Sequence, residues 1–339
     1  MSAPFFSICI AAYKADRYIE ACLASIESQS CRDFEVIIVD DGSPEPLTLD
    51  SALASRLPSI RIIRTENGGP YAARQRAYDE ACGQVLLSVD ADDALFGTDA
   101  LSKILKAFSS GTDIVVFNAT NSECSAHRLF DYSALKSSDM DSMDCLWSLF
   151  TTSFSLNSLW CKAFRRSLYT TSLKKKRPRL LMAEDRLQSL EVMMGARSFV
   201  VVDEPLYFYR PNMTSTTNAG YEPSYFSQQC YVETEVLDFM RRRHMPLEGW
   251  ATYFLELISG VLLGIRYNPL LSQVDRFDVY QSICKEHIVE IAMRFLESAA
   301  LSKVNALRLR LLRSHRFIFL DMSMLPWKCG SFIKGLFKR

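Results

Sequence analysis

The stretch LLSVDADDALF, residues 86–96, ends an apolar run in a corner that holds three carboxylates, Asp90, Asp92 and Asp93. Like charges this close together repel one another unless a positive group lies between them. Divalent cations prefer oxygen ligands, so the corner predicts a bound dication. The alternative is an acidic turn that ends a strand and caps a helix beginning near Thr98.

Apolar runs of strand length alternate with helical patterns around this corner. FSICIAA (6–12) and FEVIIVD (34–40) are rich in Ile and Val, which is typical of strands that a parallel sheet covers on both faces. Between them, Ile19, Leu23 and Ile26 recur at helical spacing. A strand at 60–63, a helix at 68–83 and a strand at 84–89 follow. This alternation predicts an α/β fold, with a mostly parallel sheet flanked by helices.

Polar residues gather where the predicted strands end. Ala12 and Tyr13 follow the first strand, residues 40–43 the second, and residues 90–93 the fourth. Ligands of open α/β sheets bind at the carboxyl ends of the strands, so we expect these three loops to form one crevice. The first strand is not followed by G-x-G-x-x-G, and the chain has no G-x-x-x-x-G-K-[ST] motif. The crevice therefore lacks the signatures of a dinucleotide site and of a Walker phosphate loop.

The composition is that of a globular protein with a sizeable core. The chain has 339 residues, 48% of them hydrophobic, and a formal net charge of 0, which gives no overall field to attract nucleic acid. None of the ten cysteines lies in a C-x-x-C pair, which favours a reducing cytoplasm. No basic region precedes the apolar N-terminal stretch, so we expect no signal peptide. The apolar run 250–265 contains Glu256, and we expect a buried helix rather than a membrane span.

Seven motifs occur in order between residues 7 and 210. They are SICIAAYKADRYIEACLASIESQS (7–30), FEVIIVDDGS (34–43), ENGGPYAARQRAY (66–78), LLSVDADD (86–93), SLWCKAFRRSLY (158–169), AEDRLQSLEVMMGA (183–196) and DEPLYFYR (203–210). Together they resemble glycosyltransferase family 2, of the bacterial surface-polysaccharide type. The resemblance implies a GT-A fold with a nucleotide-sugar-binding half (1–120) and an acceptor-binding and catalytic-base half (121–220). Beyond about residue 222 the resemblance fades, and apolar residues three to four apart predict a helical C-terminal region (221–339).

The resemblance implies an inverting, metal-dependent glycosyltransferase. Such an enzyme moves a sugar from a nucleotide donor, usually UDP-linked, to a hydroxyl of a glycan or a lipid-linked saccharide, with Mn2+ or Mg2+ bound. The residues alone leave open a retaining mechanism, a non-catalytic sugar-nucleotide-binding or scaffolding subunit, and a nucleotidyltransferase of similar fold. A nucleotidyltransferase would normally carry a basic Gly-rich phosphate loop near its N-terminus, and the sequence has none.

By the same resemblance, one side of the crevice binds the nucleotide sugar. Asp92 and Asp93 would lie nearest the metal, and Asp90 would hold the ribose or the sugar of the donor. Ala11 and Ala91 occupy further donor-binding positions. At the position of Ala11 the family often has a polar residue or Pro.

Three more side chains match the positions that contact the nucleotide. Tyr13 would stack on the pyrimidine, and such stacking contributes roughly 1–3 kcal/mol per base in nucleic-acid complexes. Asp41 would accept the N3–H of uracil, a donor that cytosine lacks, which favours uridine. Arg74 would reach the base or the diphosphate. The alternatives are a buried core tyrosine, a turn aspartate before a glycine, and a solvated arginine on a helix.

The motif AEDRLQSLEV supplies the candidate catalytic carboxylates, because an inverting displacement needs a group that accepts the proton of the attacking hydroxyl. Leu187, Leu190 and Met194 repeat at helical spacing. This pattern places Glu184 and Asp185 at the N-terminal end of a helix, which stabilises anions. The resemblance implies Asp185 as the base and Glu184 as an acceptor-binding or orienting residue. The alternative is an exposed acidic first turn.

Trp160, Lys162 and Arg210 are the candidate acceptor-binding residues. The segment LWCKAFRR matches one that lines the acceptor side in relatives, where a Trp ring suits the apolar face of a pyranose and a Lys could touch a phosphate. A packing Trp beside a solvated Lys is an equal alternative. Arg210 could also swing onto the diphosphate as part of a mobile lid with Ser215 and Thr216.

The last third of the chain is predicted to be helical and to end in a basic segment. Between residues 301 and 339, nine Lys or Arg residues are interleaved with bulky apolar side chains, and the only acid is Asp321. This mixture suits an anionic membrane surface, near which each cation contributes about 1 kcal/mol, and predicts a peripheral position on the inner face of the cell membrane. The alternative is a basic helix packed on the protein. The run KKKRPR (174–179) would add to that face, guide a diphosphate or form a solvated loop.

Overall fold

The computed structural model describes residues 3–108, 111–135, 143–172, 177–211 and 223–325. The chain divides into two compact units, residues 1–212 and 213–339. The first unit contains the sheet with its helices, and the second is helical. Several predicted features lie outside the described residues: the basic residues 174–176, the lid residues Ser215 and Thr216, and the tail 326–339.

One mixed sheet forms the centre of the first unit. Its strands are β1 (Phe6–Ala12), β2 (Phe34–Asp40), β3 (Ile60–Arg64), β4 (Val85–Asp90), β5 (Ala94–Leu95), β6 (Ile114–Thr120), β7 (Lys162–Arg165) and β8 (Phe199–Phe208), in the order β3-β2-β1-β4-β7-β6-β8-β5. β1 to β4 are parallel, as the alternating pattern predicted. β7 is antiparallel to both β4 and β6, which the sequence did not signal.

Helices connect these strands. They are α1 (Ile19–Glu27), α2 (Ser51–Arg56), α3 (Pro70–Glu80), α4 (Ala100–Ala107), α5 (Met143–Thr152), α6 (Arg166–Ser172) and α7 (Glu184–Gly195). α1 buries Ile19, Leu23 and Ile26, the three residues whose spacing predicted it. α3 begins at Pro70, where a missing backbone N–H costs no helical hydrogen bond. α7 begins at Glu184, so the predicted carboxylates lie in its first turn.

The central strands are buried on both faces, which explains their uninterrupted apolar sequences. Every residue of β2 is buried, and in β1 only Ala11 is half-buried. Burying each large aliphatic side chain contributes about 1.5–3 kcal/mol. The turn into β4 requires a glycine, because a Cβ on Gly83 would lie 2.6 Å from the backbone nitrogen of Ser7. The polar ends of β1, β2 and β4 are therefore held at one edge of a rigid core.

The second unit consists of α8 (Pro223–Arg242), α9 (Glu248–Tyr267), α10 (Gln273–Lys285), α11 (His287–Met293), α12 (Lys303–Arg313) and α13 (Phe317–Ser323). α9 contains the predicted buried helix, and Trp250 and Phe254 are fully buried. In the described ranges, no helix combines the length and the apolar character that crossing a membrane requires. Asp321 is buried and accepts two hydrogen bonds of 3.0 Å from Arg276, which anchors α13 to α10.

Candidate active site

The acidic corner lies between β4 and β5 and is braced by the end of β8. The Tyr207 hydroxyl donates to Asp93 Oδ2 at 2.8 Å and accepts from the Asp90 amide at 3.0 Å. The Arg210 amide donates to Asp93 Oδ1 at 2.9 Å, and Arg210 Nε donates to the Asp92 carbonyl at 2.9 Å. The corner is therefore fixed by hydrogen bonds from a strand distant in sequence.

Burial and mutual repulsion perturb the carboxylates of this corner. Burial, reinforced by the charge of Asp90, raises the pKa of Asp93 to about 8. Burial also raises the pKa of Asp90 to about 6, although the Arg74 guanidinium beside it acts in the opposite direction. A positive charge added at this corner would offset the repulsion among its acidic groups.

The corner supplies oxygen donors for a dication without forming a complete cage. Among the residues that the structure describes, no three His, Cys, Asp or Glu side chains are grouped as a metal site. Asp93 is 2% exposed and both its carboxylate oxygens accept hydrogen bonds, so here it braces the corner. Asp92 is half-buried and is the more accessible of the two. Mg2+ commonly binds through one or two carboxylates together with substrate phosphates, and this corner fits that mode.

Arg74 joins the acidic corner to the first turn of α7. Its side chain is 6% exposed, which excludes the alternative of a solvated arginine on a helix surface. Arg74 Nη2 lies 2.9 Å from Asp90 Oδ1, and Nη1 lies 2.5 Å from Asp185 Oδ1. Nη1 also lies 3.5 Å from Glu184 Oε1 and donates to Gln188 Oε1 at 3.2 Å. The guanidinium of Arg74 therefore brings Asp90, the predicted ligand of the ribose or sugar of the nucleotide sugar, close to Asp185, the predicted base.

The first turn of α7 places two acidic side chains at the site. The residue before it, Ala183, has a φ of 62°, a left-handed conformation that is strained for a residue with a Cβ. Burial, reinforced by the charge of Asp185, raises the pKa of Glu184 to about 7. Asp185 Oδ2 accepts from the Leu159 amide at 3.3 Å. Asp185 Oδ1 is buried, and in the described part of the chain no donor is aligned to hydrogen-bond with it.

Tyr13 follows β1 with 49% of its surface exposed, which excludes the alternative of a buried core tyrosine. The next residue, Lys14, has a φ of 52° and donates its amide to Ser43 Oγ at 2.9 Å. This bond ties the loop after β1 to the loop after β2. An exposed ring on a tethered loop can stack on a planar base.

Asp41 has a role in the structure that the sequence did not reveal. It is buried, and its Oδ1 and Oδ2 accept from the amides of Gly68 and Gly69 at 2.8 Å and 2.9 Å. Gly69 has a φ of 88°, and a Cβ on it would lie 2.9 Å from the carbonyl oxygen of Leu180. Asp41 thus fixes the loop that precedes α3. The N3–H of a bound uracil would have to share Oδ1 or Oδ2 of Asp41 with one of these two amides.

The small residues Ala11 and Ala91 lie beside the acidic corner. Ala11 pairs with Asp90 across β1 and β4, and Ala91 is 7% exposed. Neither can supply a polar contact through its side chain. Their roles in donor binding remain predictions.

Two of the three expected acceptor-binding residues, Trp160 and Lys162, are buried. Trp160 is 6% exposed and stacks on Tyr207 with ring centroids 4.5 Å apart, so it packs within the fold and offers little surface to a sugar. Lys162 is fully buried, which excludes both contact with an acceptor phosphate and the solvated alternative. Arg210 lies at the acidic corner, on the side of the predicted donor.

The sequence did not indicate Gln188 and Tyr207 as residues of the site. Gln188 is one turn beyond Glu184 on α7, so helical spacing could have signalled it. Tyr207 reaches Asp90 and Asp93 from β8, and only the pairing of β8 with β5 and β6 brings it there. No local pattern encodes that pairing.

Residues 7–169 match the family model described as Glycosyl transferase family 2. The chain is therefore similar to glycosyl transferase family 2 over a little under half of its length. EpsH of Bacillus subtilis (strain 168), which carries a glycosyltransferase name, is 29% identical over 219 residues, 63% of each chain. A PGL/p-HBAD biosynthesis glycosyltransferase of Mycobacterium tuberculosis (strain ATCC 25618 / H37Rv) is 41% identical over 106 residues. That match covers 31% of this chain and 41% of the relative, so the chain matches less than two thirds of either protein.

The chain has the GT-A fold, which confirms the predicted fold class. The crystal structure of S. aureus TarS 1-349 in complex with UDP matches with a TM-score of 0.67 at 18% identity, over 98% of this chain and 92% of that one. The complex of the same protein with UDP-GlcNAc matches with a TM-score of 0.66 over the same shares.

Proposed function

We propose that the protein is a glycosyltransferase that moves a sugar from a UDP-linked donor to a hydroxyl group, with inversion at the anomeric carbon. The observation that carries this proposal is the position of Arg74, which contacts Asp90 with one terminal nitrogen and Asp185 with the other. Both carboxylates therefore lie within the reach of one side chain. The match of residues 7–169 to the glycosyl transferase family 2 model supports the reaction class.

The donor would bind at the carboxyl ends of β1, β2 and β4. The exposed ring of Tyr13 would stack on uracil, and Asp41 would accept the N3–H of the base. Asp90, Ala91 and Asp92 would line the ribose and the diphosphate. The TarS complexes with UDP and UDP-GlcNAc support uridine as the base of the donor.

Asp92 would hold Mn2+ or Mg2+ together with the diphosphate, and Asp93 would support that position from within the corner. A bound dication stabilises the negative charge that develops on a leaving diphosphate. The grouping of three carboxylates at one corner supports this assignment. Arg210, which is bonded to Asp92 and Asp93, would place a second positive charge on the same side.

Asp185 would act as the base. The oxygen of the acceptor hydroxyl bonds to the anomeric carbon while the bond from that carbon to the diphosphate oxygen breaks, and the hydroxyl proton passes to Asp185. Arg74 Nη1, 2.5 Å from Asp185 Oδ1, would hold the carboxylate in position for the transfer. Glu184 would orient the attacking hydroxyl. A protein that only binds sugar nucleotides has no need of such a base.

We propose a glycan or a lipid-linked saccharide of the cell surface as the acceptor, reached from the inner face of the membrane. The described part of the C-terminal segment exposes Ile318 (57%) and Phe319 (44%) on α13. The neighbouring Arg316 is also exposed, and residues 301–325 contain five Lys or Arg residues. Adjacent apolar and basic side chains suit an anionic membrane surface.

A thermal-unfolding screen of nucleotide sugars with and without Mn2+ tests the proposed function. A ligand at 100 times its Kd stabilises a protein by about 2.7 kcal/mol, so bound donors should raise the Tm measurably. We expect UDP-sugars with Mn2+ to protect the protein and GDP-, CMP- and ADP-sugars to leave the Tm unchanged. Protection by every nucleotide alike, or by none, would contradict the proposal.

A further inference from the structure

Lys162 is a buried lysine with three neutral oxygen acceptors and a weaker contact with Cys161 Sγ at 3.9 Å. Its exposed fraction is 0%, and its Nζ donates to the Leu156 carbonyl at 2.7 Å, the Ser158 carbonyl at 2.6 Å and Ser189 Oγ at 3.2 Å. Burial lowers the pKa of this ammonium below its usual range. A buried charge is costly, so a lysine here indicates a specific use for all three donors.

The acceptors of Lys162 belong to one loop and one helix. Residues 156–158 and Leu159, the first residue of a short 3-10 helix (Leu159–Cys161) that leads into β7, form a segment called here the loop 156–159, and this loop is also bound from α7. Ser189 Oγ donates to the Asn157 carbonyl at 2.9 Å, and Arg186 Nη1 donates to Asn157 Oδ1 at 2.7 Å. Lys162 thus holds the loop from β7 while Ser189 and Arg186 hold it from the helix that carries Asp185.

The same loop contacts the candidate base. The Leu159 amide donates to Asp185 Oδ2 at 3.3 Å, while Arg74 contacts the other carboxylate oxygen. The two contacts fix the direction of the carboxylate. The Leu159 amide lies one residue beyond Ser158, whose carbonyl is bonded to Lys162. Movement of this carbonyl would therefore move the amide.

We infer that Lys162 is a positioning residue that acts through the loop 156–159 to hold the Leu159 amide against Asp185. This inference rests on the proposed role of Asp185 as base. A single ammonium can satisfy two carbonyls and a hydroxyl that converge on one point, whereas the planar fork of arginine spreads its donors. Displacing a reacting group by about 1 Å can reduce a rate roughly 10²-fold.

The test compares Lys162→Met with Glu35→Gln. Glu35 is also a buried charged residue with several hydrogen bonds, to Ser7 Oγ and the amide of Cys82, but it contacts no part of this loop. We expect Lys162→Met to lower kcat roughly 10–100-fold with the KM for the donor within about threefold, and Glu35→Gln to leave kcat unchanged. A Lys162→Met protein with wild-type kcat, or an equal loss of kcat in both variants, would overturn the inference.

A double-mutant cycle separates positioning of Asp185 from a general structural role. If Lys162 acts through Asp185, Lys162→Met should cause little further loss of kcat in an Asp185→Asn background. A full additional loss in that background would overturn the inference and leave the proposed function intact. Wild-type turnover by Asp185→Asn alone would instead contradict the proposed function.

Ser189→Ala provides a milder variant if Lys162→Met does not fold. It removes one acceptor of Lys162 and one donor to the loop, and we expect faster amide hydrogen exchange across residues 156–160 with a parallel decrease in kcat. Unchanged exchange and unchanged kcat in this variant would contradict the inference.

Discussion

Arg74 Nη1 lies 2.5 Å from Asp185 Oδ1, so α3 and the first turn of α7 meet through an ion pair between a buried guanidinium and a half-buried carboxylate. The second terminal nitrogen of the same guanidinium contacts Asp90 at the end of β4. Removing the cation would leave three half-buried carboxylates, those of Asp90, Glu184 and Asp185, without their main counter-charge, which is destabilising. The ion pair thus both stabilises the fold locally and sets the spacing between the proposed donor site and the proposed base.

Replacing Arg74 with Lys should lower kcat/KM roughly 10–100-fold, because an ammonium cannot span both carboxylates and a lost hydrogen bond to a charged group costs about 1.5–3 kcal/mol. Steady-state kinetics with a UDP-sugar measure the effect. Arg76→Lys is the matched control, since Arg76 is half-exposed on the same helix and pairs with Glu80. Equal kcat/KM in the two variants would show that the bridging geometry is unimportant.

The raised pKa of Glu184, about 7, predicts a pH-dependent loss of stability. Below its ordinary value of 4.5 the side chain is protonated in both states and carries no penalty. As the pH rises to 7 the unfolded chain releases this proton while the folded protein retains it, so wild-type stability should fall on the order of 3 kcal/mol relative to Glu184→Gln. Urea unfolding of both proteins between pH 4.5 and 8 measures the difference, which should level off above pH 7. A difference in unfolding free energy between the two proteins that stays the same at every pH would refute the assigned pKa.

Asp92 and Asp93 should respond differently to replacement by Asn. Asp92→Asn should raise the Mn2+ concentration for half-maximal activity about tenfold or more with little change in Tm, because it removes the accessible carboxylate of the corner. Asp93→Asn should instead lower stability by about 1–3 kcal/mol, because an amide cannot accept from both Tyr207 and Arg210. Metal titrations and thermal unfolding distinguish the two. A stable Asp93→Asn protein with the stronger metal defect would reverse these assignments.

Ile318 and Phe319 should contribute to membrane binding. Replacing both with Ser should weaken sedimentation with anionic phosphatidylglycerol vesicles severalfold, since about 0.8 kcal/mol is lost per methylene withdrawn from the lipid. Leu270→Ser is the control, because Leu270 is 88% exposed and lies outside the basic C-terminal segment. Binding that survives both the double replacement and deletion of residues 326–339 would exclude this segment as the contact.

Much of the fold could be predicted from the sequence because its strands are buried on both faces. The apolar runs of β1, β2 and β4 and the spacing in α1 marked these elements directly, and the acidic corner marked the edge of the sheet that carries the site. α7 was predicted to begin at the Glu-Asp pair, and it does. Local patterns therefore located the site.

The side-chain environments could not be predicted, because they depend on contacts between distant segments. Trp160 and Lys162 lie in a short stretch without helical or strand periodicity. Lys162 is buried because β7 inserts antiparallel between β4 and β6, and Trp160 is buried because it stacks on Tyr207 of β8. As a charged residue on α3, Arg74 would be expected at the surface. It is buried because the first turn of α7 packs against it. A buried lysine also violates the usual preference of that residue for solvent.

Replacing Asp185 with Asn tests the central claim most directly, namely that a base faces a metal-assisted donor across one pocket. The measurement is transfer from a UDP-sugar in the presence of Mn2+, with UDP binding by calorimetry on the same protein. We expect kcat to fall on the order of 10²–10⁴-fold, the contribution of a general base, with the Kd for UDP within a few-fold of wild type. Undiminished transfer by Asp185→Asn, with UDP still bound, would contradict the account.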